Sequence, residues 1–519
     1  MLGSKARTIR TTTSSLPRSL AQPRTTCRRY SVPTKRPDDI SPPVFSPQRY
    51  AEHAAVPFDF FRRFFKFSAI GLIGVGLFSW TVFEGAHAWV ENVELAPDLD
   101  PEVHKWEWDV EADRWARGPS GGTDPGLGFT ARHAVRASWM AHNWGIGAPQ
   151  AAPAAMSGRS GSGELIVVEA RLEIAQAFLT VALQRAAQYP EKLGPQTLTE
   201  LLQRHASIVE RMGTREALFQ ARRDLERVWA SQKGNGIDAA RTALKLGDLN
   251  QRIGDREDAL SWWARTLQLV TNQATPLDIP PPVPTSVPAS PLAQRTLIST
   301  LVSLSAFYAT TGQLRQAQTV EESSLNLLRS IRQPESLETA PPPQALHGLY
   351  VLHRSALLSI HLAEVMYALR NKQLTSMEWL DRAAESSERV ALALTGLPLI
   401  HPDAPRSRIP HPPSSESPLL PVYAKSRTMQ KPASSLLRDA RRTAAEAYNL
   451  MGLLIEASEA PDAQKKALEC YERAVGWAGV AHDRAGGIGK AGEGTLENEW
   501  KALWNNYVRV RNIEKKDSK

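Results

Sequence analysis

The chain has 519 residues, two cysteines and a formal charge of +8, from 62 Lys+Arg against 54 Asp+Glu. Seven of the basic residues fall in residues 1–30, which hold no acid, so the rest is close to neutral and no nucleic-acid partner is implied for it. Cys27 lies in that basic segment and Cys470 stands alone beyond it, which excludes an intrachain disulfide or a cysteine-based metal site once the segment is removed.

Residues 1–37 carry nine Lys or Arg, are rich in Ser and Thr, and contain no acid before Asp38. They lack the apolar core of a secretory signal. This is the composition of a mitochondrial presequence. Arg28-Arg29-Tyr30-Ser31 is similar to the site cut by the mitochondrial processing peptidase, so cleavage is expected between Tyr30 and Ser31. The expectation is a disordered presequence over 1–30 and a matrix-facing segment over 31–66. A basic tail that binds nucleic acid or anionic lipid is the alternative.

Phe67 to Phe83 is a run of 17 residues without a charge. As a helix it reaches roughly 26 Å, just short of a hydrocarbon core of about 30 Å. Continuing to Val90 supplies the remainder, and a transmembrane helix is predicted over 67–90. Gly71, Gly74 and Gly76 open one face for close helix packing. Trp80 and Trp89 lie near one end and a phenylalanine cluster near the other, as in interfacial belts. A buried core helix is the competing reading. Arg62, Arg63 and Lys66 precede the run, while Glu84, Glu91, Glu94, Asp98, Asp100 and Glu102 follow it before the next base, Lys105. The positive-inside rule then puts the N-terminus in the matrix and the chain beyond residue 91 in the intermembrane space.

Residues 91–163 form a Trp-rich linker, with Trp106, Trp108, Trp115, Trp139 and Trp144 among Gly- and Pro-rich stretches. It is expected to dock on the membrane or the next domain, or to form a short helix or two packed on the body. From Glu164 to the end, Ala- and Leu-rich runs place apolar residues at spacings of three and four, the period of helices with one buried face. The body, 164–519, is therefore expected to be all-α.

A repeat underlies it. In "RTALKLGDLNQRIGDREDALSWWARTL", Leu246-Gly247 is followed by Gly254, Ala259 and Trp263, with Thr266 at a later small position. The small residues let two antiparallel helices touch, and the aromatic fills the wedge to the next pair. A second copy has Tyr308, Gly312 and Ala317, with Ser305 in place of the glycine and Glu321 in place of the aromatic. A third keeps Tyr367, Asn371 and Ala383. A fourth has Met451-Gly452, Ala467, Tyr471 and Ala474, with a longer turn around Pro461. The pattern resembles the tetratricopeptide repeat. The resulting fold expectation is an all-α, tetratricopeptide-like helical-hairpin solenoid with one N-terminal transmembrane helix. The last amphipathic helix would cap it. Pro-rich insertions at 275–294, 334–345 and 397–434 are expected as exposed, mobile loops.

No catalytic chemistry emerges. Gly487 to Gly492 satisfies GxGxxG but follows a helix, and Ala491 after Lys490 excludes a P-loop. The histidines show no metal-ligand spacing, and His353 and His361 are expected on a solvated face. No metal, cofactor or enzymatic activity is expected.

From end to end, the layout resembles the tetratricopeptide subunit of the fungal mitochondrial i-AAA protease supercomplex; at motif level the likeness rests on Leu246–Trp263 and Leu450–Ala474. The resemblance implies an adaptor that binds unfolded proteins and helps deliver them to an inner-membrane ATP-dependent protease. A scaffold or assembly factor for a respiratory complex is the alternative. In the best repeat, Leu246, Leu249 and Ile253 form the packing stripe. Arg241, Asp248 and Gln251 lie on another stripe, which would face a substrate groove if first helices line the inner wall, or would otherwise be simply solvated.

Overall fold

The computed structural model describes residues 47–118, 121–145, 169–272, 281–337, 339–370, 373–397, 417–458, 461–479 and 500–517. Tyr30, Ser31, Asn371 and the glycine-rich stretch 487–492 lie outside the described residues, as do 273–280 and 398–416 of the Pro-rich insertions. The chain divides into two compact units, one ending at Ser79 and one running from Trp80 to Lys519.

The described part of the first unit belongs to one long helix, α1 (Pro47–Trp89), which starts some way before the expected span. Phe60, Phe61, Phe64, Phe65, Phe67, Ile70, Leu72 and Leu77 are all exposed. A Cβ placed on Gly71, Gly74 or Gly76 would touch nothing, so the expected small-residue face has no partner within this unit. Among the described residues one helical stretch, Phe60–Glu94, is long and apolar enough to cross a membrane, and none of its most apolar window is buried.

The second unit is helical throughout its described residues, with no strand beyond an isolated bridge between Arg117 and Thr123. After a π turn at Val90–Glu94 come two short helices, α2 (Pro101–Lys105) and α3 (Trp108–Glu111). Then follow α4 (Gly128–Trp144), α5 (Ala170–Gln188), α6 (Thr197–Met212), α7 (Arg215–Ser231), α8 (Gly236–Ile253) and α9 (Arg256–Thr271). The chain continues through α10 (Pro291–Thr310), α11 (Leu314–Arg329), α12 (Pro342–Ala368), α13 (Gln373–Thr395), the short α14 (Pro421–Ala424), α15 (Gln430–Glu456), α16 (Ala463–Trp477) and α17 (Trp500–Asp517).

The long helices pack in consecutive pairs: α4 with α5, α6 with α7, α8 with α9, α10 with α11, α12 with α13, and α15 with α16. The second helix of each pair packs on the first helix of the next, and α8, α10, α12 and α15 also touch in succession. Local chemistry sets the boundaries. Thr214 and Ser290 accept the Ala217 and Ala293 amides as N-caps of α7 and α10. Gly254 and Gly312, at φ +105° and +79°, take the left-handed backbone that makes the tight turns after α8 and α10. The last helix packs on α16 through buried Leu503, Tyr507 and Val510.

Where it is described, the 91–163 stretch forms helices packed on the body, the second of its two expected readings: Trp108 and Trp115 are 1% and 3% exposed, Trp139 is buried, and α4 packs on α5. The Pro-rich insertions depart, where described, from the exposed loops expected of them. The described parts of the Pro-rich insertions also run into packed structure. Val283 and Val287 lie against the core, Pro291 and Pro342 sit in the first turns of α10 and α12, and Tyr423, Met429 and Ala433 are buried. Proline breaks helix interiors but not helix starts, so a proline cluster before an apolar run marks an entry as readily as a loop.

Candidate functional site

The first helices of the hairpins carry a strap. Residues 93–117 run across the N-terminal halves of α12, α10, α8 and α6, with further contacts just before and at the start of α15. At one end Arg427 donates to the Val93, Ala96 and Pro97 carbonyls, and Thr428 donates to Asp98 at 2.8 Å. Trp108 buries its ring in the core around α12 and α15, donating from Nε1 to the Pro343 carbonyl at 2.9 Å. The Glu107 carboxylate accepts from Ser290 Oγ at 2.5 Å and the Leu292 amide at 2.8 Å, at the start of α10.

Two arginines then hold the strap by its main chain. Arg295, 1% exposed, donates to the Trp106 and Glu107 carbonyls at 3.2 Å, pairs with Glu111 at 2.5 Å, and stacks 3.9 Å over Trp108. Arg241 donates to the Val110 and Glu111 carbonyls at 3.0 and 3.1 Å. A planar guanidinium presents its donors as a rigid fork, which suits paired carbonyls. Further along, Asp113 bridges Arg204 at 2.6 Å and Lys431 at 3.1 Å. Burial raises the Asp113 pKa, but these two cations outweigh it and hold the carboxyl far below its ordinary range. Glu200 of α6 accepts the Arg117 amide at 2.7 Å, and Arg204 lies over the Trp115 ring. The strap turns at Glu107 and Ala116, non-glycine residues in left-handed backbone at φ 55° and 54°, each fixed by these neighbours.

Of the three residues expected along a groove, Arg241 thus grips the chain's own strap. Asp248 does not line an open groove: it accepts from Trp263 Nε1 at 3.1 Å and Ser303 Oγ at 2.8 Å, tying α8 to α9 and α10. Burial pushes its pKa up to about 6. Gln251 is half-buried farther along α8.

The repeat residues meet in pairs. A Cβ on Gly247 would lie 2.5 Å from Cδ1 and Nε1 of Trp263, and one on Gly452 would lie 2.6 Å from the Tyr471 ring. Leu246 and Leu249 are buried with Ile253 against them, and Ala259, Ala317, Ala467 and Ala474 are each 0% exposed where helices touch. Tyr308 and Ala383 are also buried, whereas Tyr367 is 53% exposed. In the second copy a polar pair replaces glycine and aromatic at the same spacing: Ser305 donates to Glu321 at 2.7 Å, and His361 Nδ1 lies 2.9 Å from the same hydroxyl. The other Glu321 oxygen, Oε2, is buried without a partner, and burial pushes the carboxyl up to about 7.

The solvated face expected for His353 and His361 is not found. His353 is 0% exposed beside Thr443, and His361 is half-buried at Ser305; burial pulls their pKa values down to about 3 and about 4. Arg295, Arg204 and Glu107 went unnoticed in the sequence. One signal was present: Arg295 is the sole charge in the twenty-residue helix α10, and a charge in an apolar helix implies a partner.

No family model matches the chain, and no curated protein matches it. Among solved structures, the crystal structure of BtubC (BKLC) from P. vanneervenii is similar at 18% identity, covering 46% of this chain and 79% of its own, with a TM-score of 0.33.

Proposed function

We propose that this protein is a membrane-anchored adaptor of tetratricopeptide-like repeats whose first helices form a face that holds polypeptide by its free main-chain carbonyls. The strap is the observation that supports this most. The face grips main-chain carbonyls at the ends of two short helices, Arg241 taking Val110 and Glu111 at the end of α3, and Arg295 taking Trp106 and Glu107 between α2 and α3. Carbonyls are common to every polypeptide, so a surface that reads them accepts unrelated sequences. The ordered helix pairs and the Gly247–Trp263 and Gly452–Tyr471 contacts support the repeat assignment.

In this reading α1 crosses the mitochondrial inner membrane. Its basic flank lies in the matrix, the helical body lies in the intermembrane space, and the protein delivers unfolded clients to an inner-membrane ATP-dependent protease. The role is one of binding rather than catalysis. The acid-free N-terminus and the exposed apolar stretch from Phe60 support this placement. One observation favours a second reading, a scaffold or assembly factor for a respiratory complex: the face is already occupied, so partners would use other surfaces.

The test uses the full-length protein in nanodiscs with a labelled model protein, folded or permanently unfolded by reduction and alkylation. The adaptor binds the unfolded form and not the folded one. The reverse preference favours the scaffold, and binding of neither contradicts both.

A further inference from the structure

Between strap residues 110–114 and the facing sides of α6 and α8 lies a cleft of about 70 Å³. That is room for about two waters, or for one carboxylate. Its cations come from three elements: Arg114 from the strap, Arg204 from α6, and Arg241 and Lys245 from α8. The acids beside them are Glu111, Asp113 and Asp238. Most of this charge is already engaged. Glu111 pairs with Arg295 and Asp113 with Arg204, while Asp238 lies 3.7 and 3.6 Å from Arg114 and Arg241.

Lys245 is left over. It lines the cleft and keeps part of its surface in solvent, and no hydrogen bond or ion pair ties it to the described residues. Burial lowers its pKa, as do the Arg204 and Arg241 charges, and the two acids whose fields raise it are themselves paired, Glu210 with Arg252 at 2.7 Å and Asp113 with Arg204 at 2.6 Å. The Nε atoms of Arg204 and Arg114 are buried without acceptors, and the Arg204 side chain is 8% exposed. A buried donor without an acceptor is costly, and so is a charge left without a partner as a ligand covers it. The strap has already placed one acid here, Asp113, and the unfilled part of the cleft offers the same chemistry again.

We infer that this cleft binds one acidic side chain of a polypeptide lying on the first-helix face, with Lys245 as its ion-pair partner and the Arg204 and Arg114 guanidinium groups lining the cleft beside it. The single uncommitted cation fixes the preference at a singly charged carboxylate. Phosphate on a peptide shares the oxyanion chemistry and is the other source. The inference rests on the polypeptide-holding face proposed above and gives it a sequence preference for acidic clients.

Full-length protein in nanodiscs is titrated with three labelled extended peptides that differ at one position, bearing Glu, Gln or phosphoserine, and anisotropy is read. The Glu peptide should bind about tenfold more tightly than the Gln peptide, as a hydrogen-bonded charge pair implies. The difference should shrink at high salt. Lys245→Glu should abolish it, and the same charge reversal at exposed Lys465 on α16 should leave it intact. Stronger selection of phosphoserine than of Glu, also lost in Lys245→Glu, would keep the oxyanion site but overturn the carboxylate assignment. Equal binding of Glu and Gln peptides, or a preference that survives Lys245→Glu, overturns the site. Binding of unfolded polypeptide without acidic preference removes only this inference, whereas no binding of any peptide removes the proposed function with it.

Discussion

Gly247→Ala adds a single methyl group, and its effect can be worked out from the contact it makes. The new Cβ would lie 2.5 Å from both Cδ1 and Nε1 of Trp263, closer than side-chain carbons approach. The indole has little room to yield: it is 0% exposed, its Nε1 is committed to Asp248, and its ring meets Phe307 edge-on at 5.6 Å. Overpacking of this kind costs about 1–3 kcal/mol. Alanine returns up to about 1 kcal/mol because it is a better helix former than glycine. The expected net loss is therefore about 1–2 kcal/mol, read as a lower denaturation midpoint and faster hydrogen exchange in α8 and α9. Trp263→Leu removes the obstructing ring. In that background Gly247→Ala should be neutral or stabilising, so the double-mutant cycle should show a coupling of about 1–3 kcal/mol. A wild-type background in which Gly247→Ala is neutral or stabilising would refute the packing account.

Ala467→Leu should cost about 1–3 kcal/mol by the same overpacking, since Ala467 is 0% exposed where α15 meets α16, and an unchanged melting temperature would speak against that register. Glu321 supplies a pH dependence. Its folded pKa of about 7 lies above the ordinary value of 4.5, so the stability it contributes is complete below pH 4.5 and is lost as pH rises through about 7. Glu321→Gln should therefore flatten stability between those limits and raise it, relative to wild type, by about 1–3 kcal/mol above neutrality, as urea melts at pH 5 and pH 8 would record. For the anchor, a C-terminal tag should resist added protease in intact mitochondria and be digested in mitoplasts, and N-terminal sequencing of the resident protein should find Ser31 or a residue shortly after it.

The all-helical character and the apolar helix were legible because both depend on local periodicity. The strongest hairpin was legible too: Leu246-Gly247, Gly254, Ala259 and Trp263 are residue types that a close helix crossing restricts to few choices. Its neighbour was obscured by a polar exchange, Ser305 with Glu321 in place of glycine and aromatic, which preserves the contact while changing two of the identities the motif relies on. The strap left less trace. Its two helices, α2 and α3, are too short to show a period, and its bonds join positions far apart in the chain, as from Trp108 to Pro343, so spacing carries no information about them. Dense tryptophan in a Gly- and Pro-rich stretch left docking on the membrane and packing on the body both open; Trp108 and Trp115 are core residues that fasten the strap down. The polar stripe through Arg241 and Asp248 was placed on one helix correctly, but helix geometry alone cannot tell that one residue holds the strap and the other ties three helices together.

The central claim is that the first-helix face, shared with the strap, holds polypeptide in trans. A photo-crosslinking residue placed at Gln251 of the full-length protein in nanodiscs tests it most directly, in wild type and in Trp108→Ala, which removes the ring that fastens the strap. The account predicts crosslinks to an unfolded model polypeptide, few to its folded form, and a higher yield in Trp108→Ala provided the variant keeps its helical signal. Absence of crosslinks to the unfolded polypeptide in both proteins, or equal crosslinking to folded and unfolded forms, would contradict it.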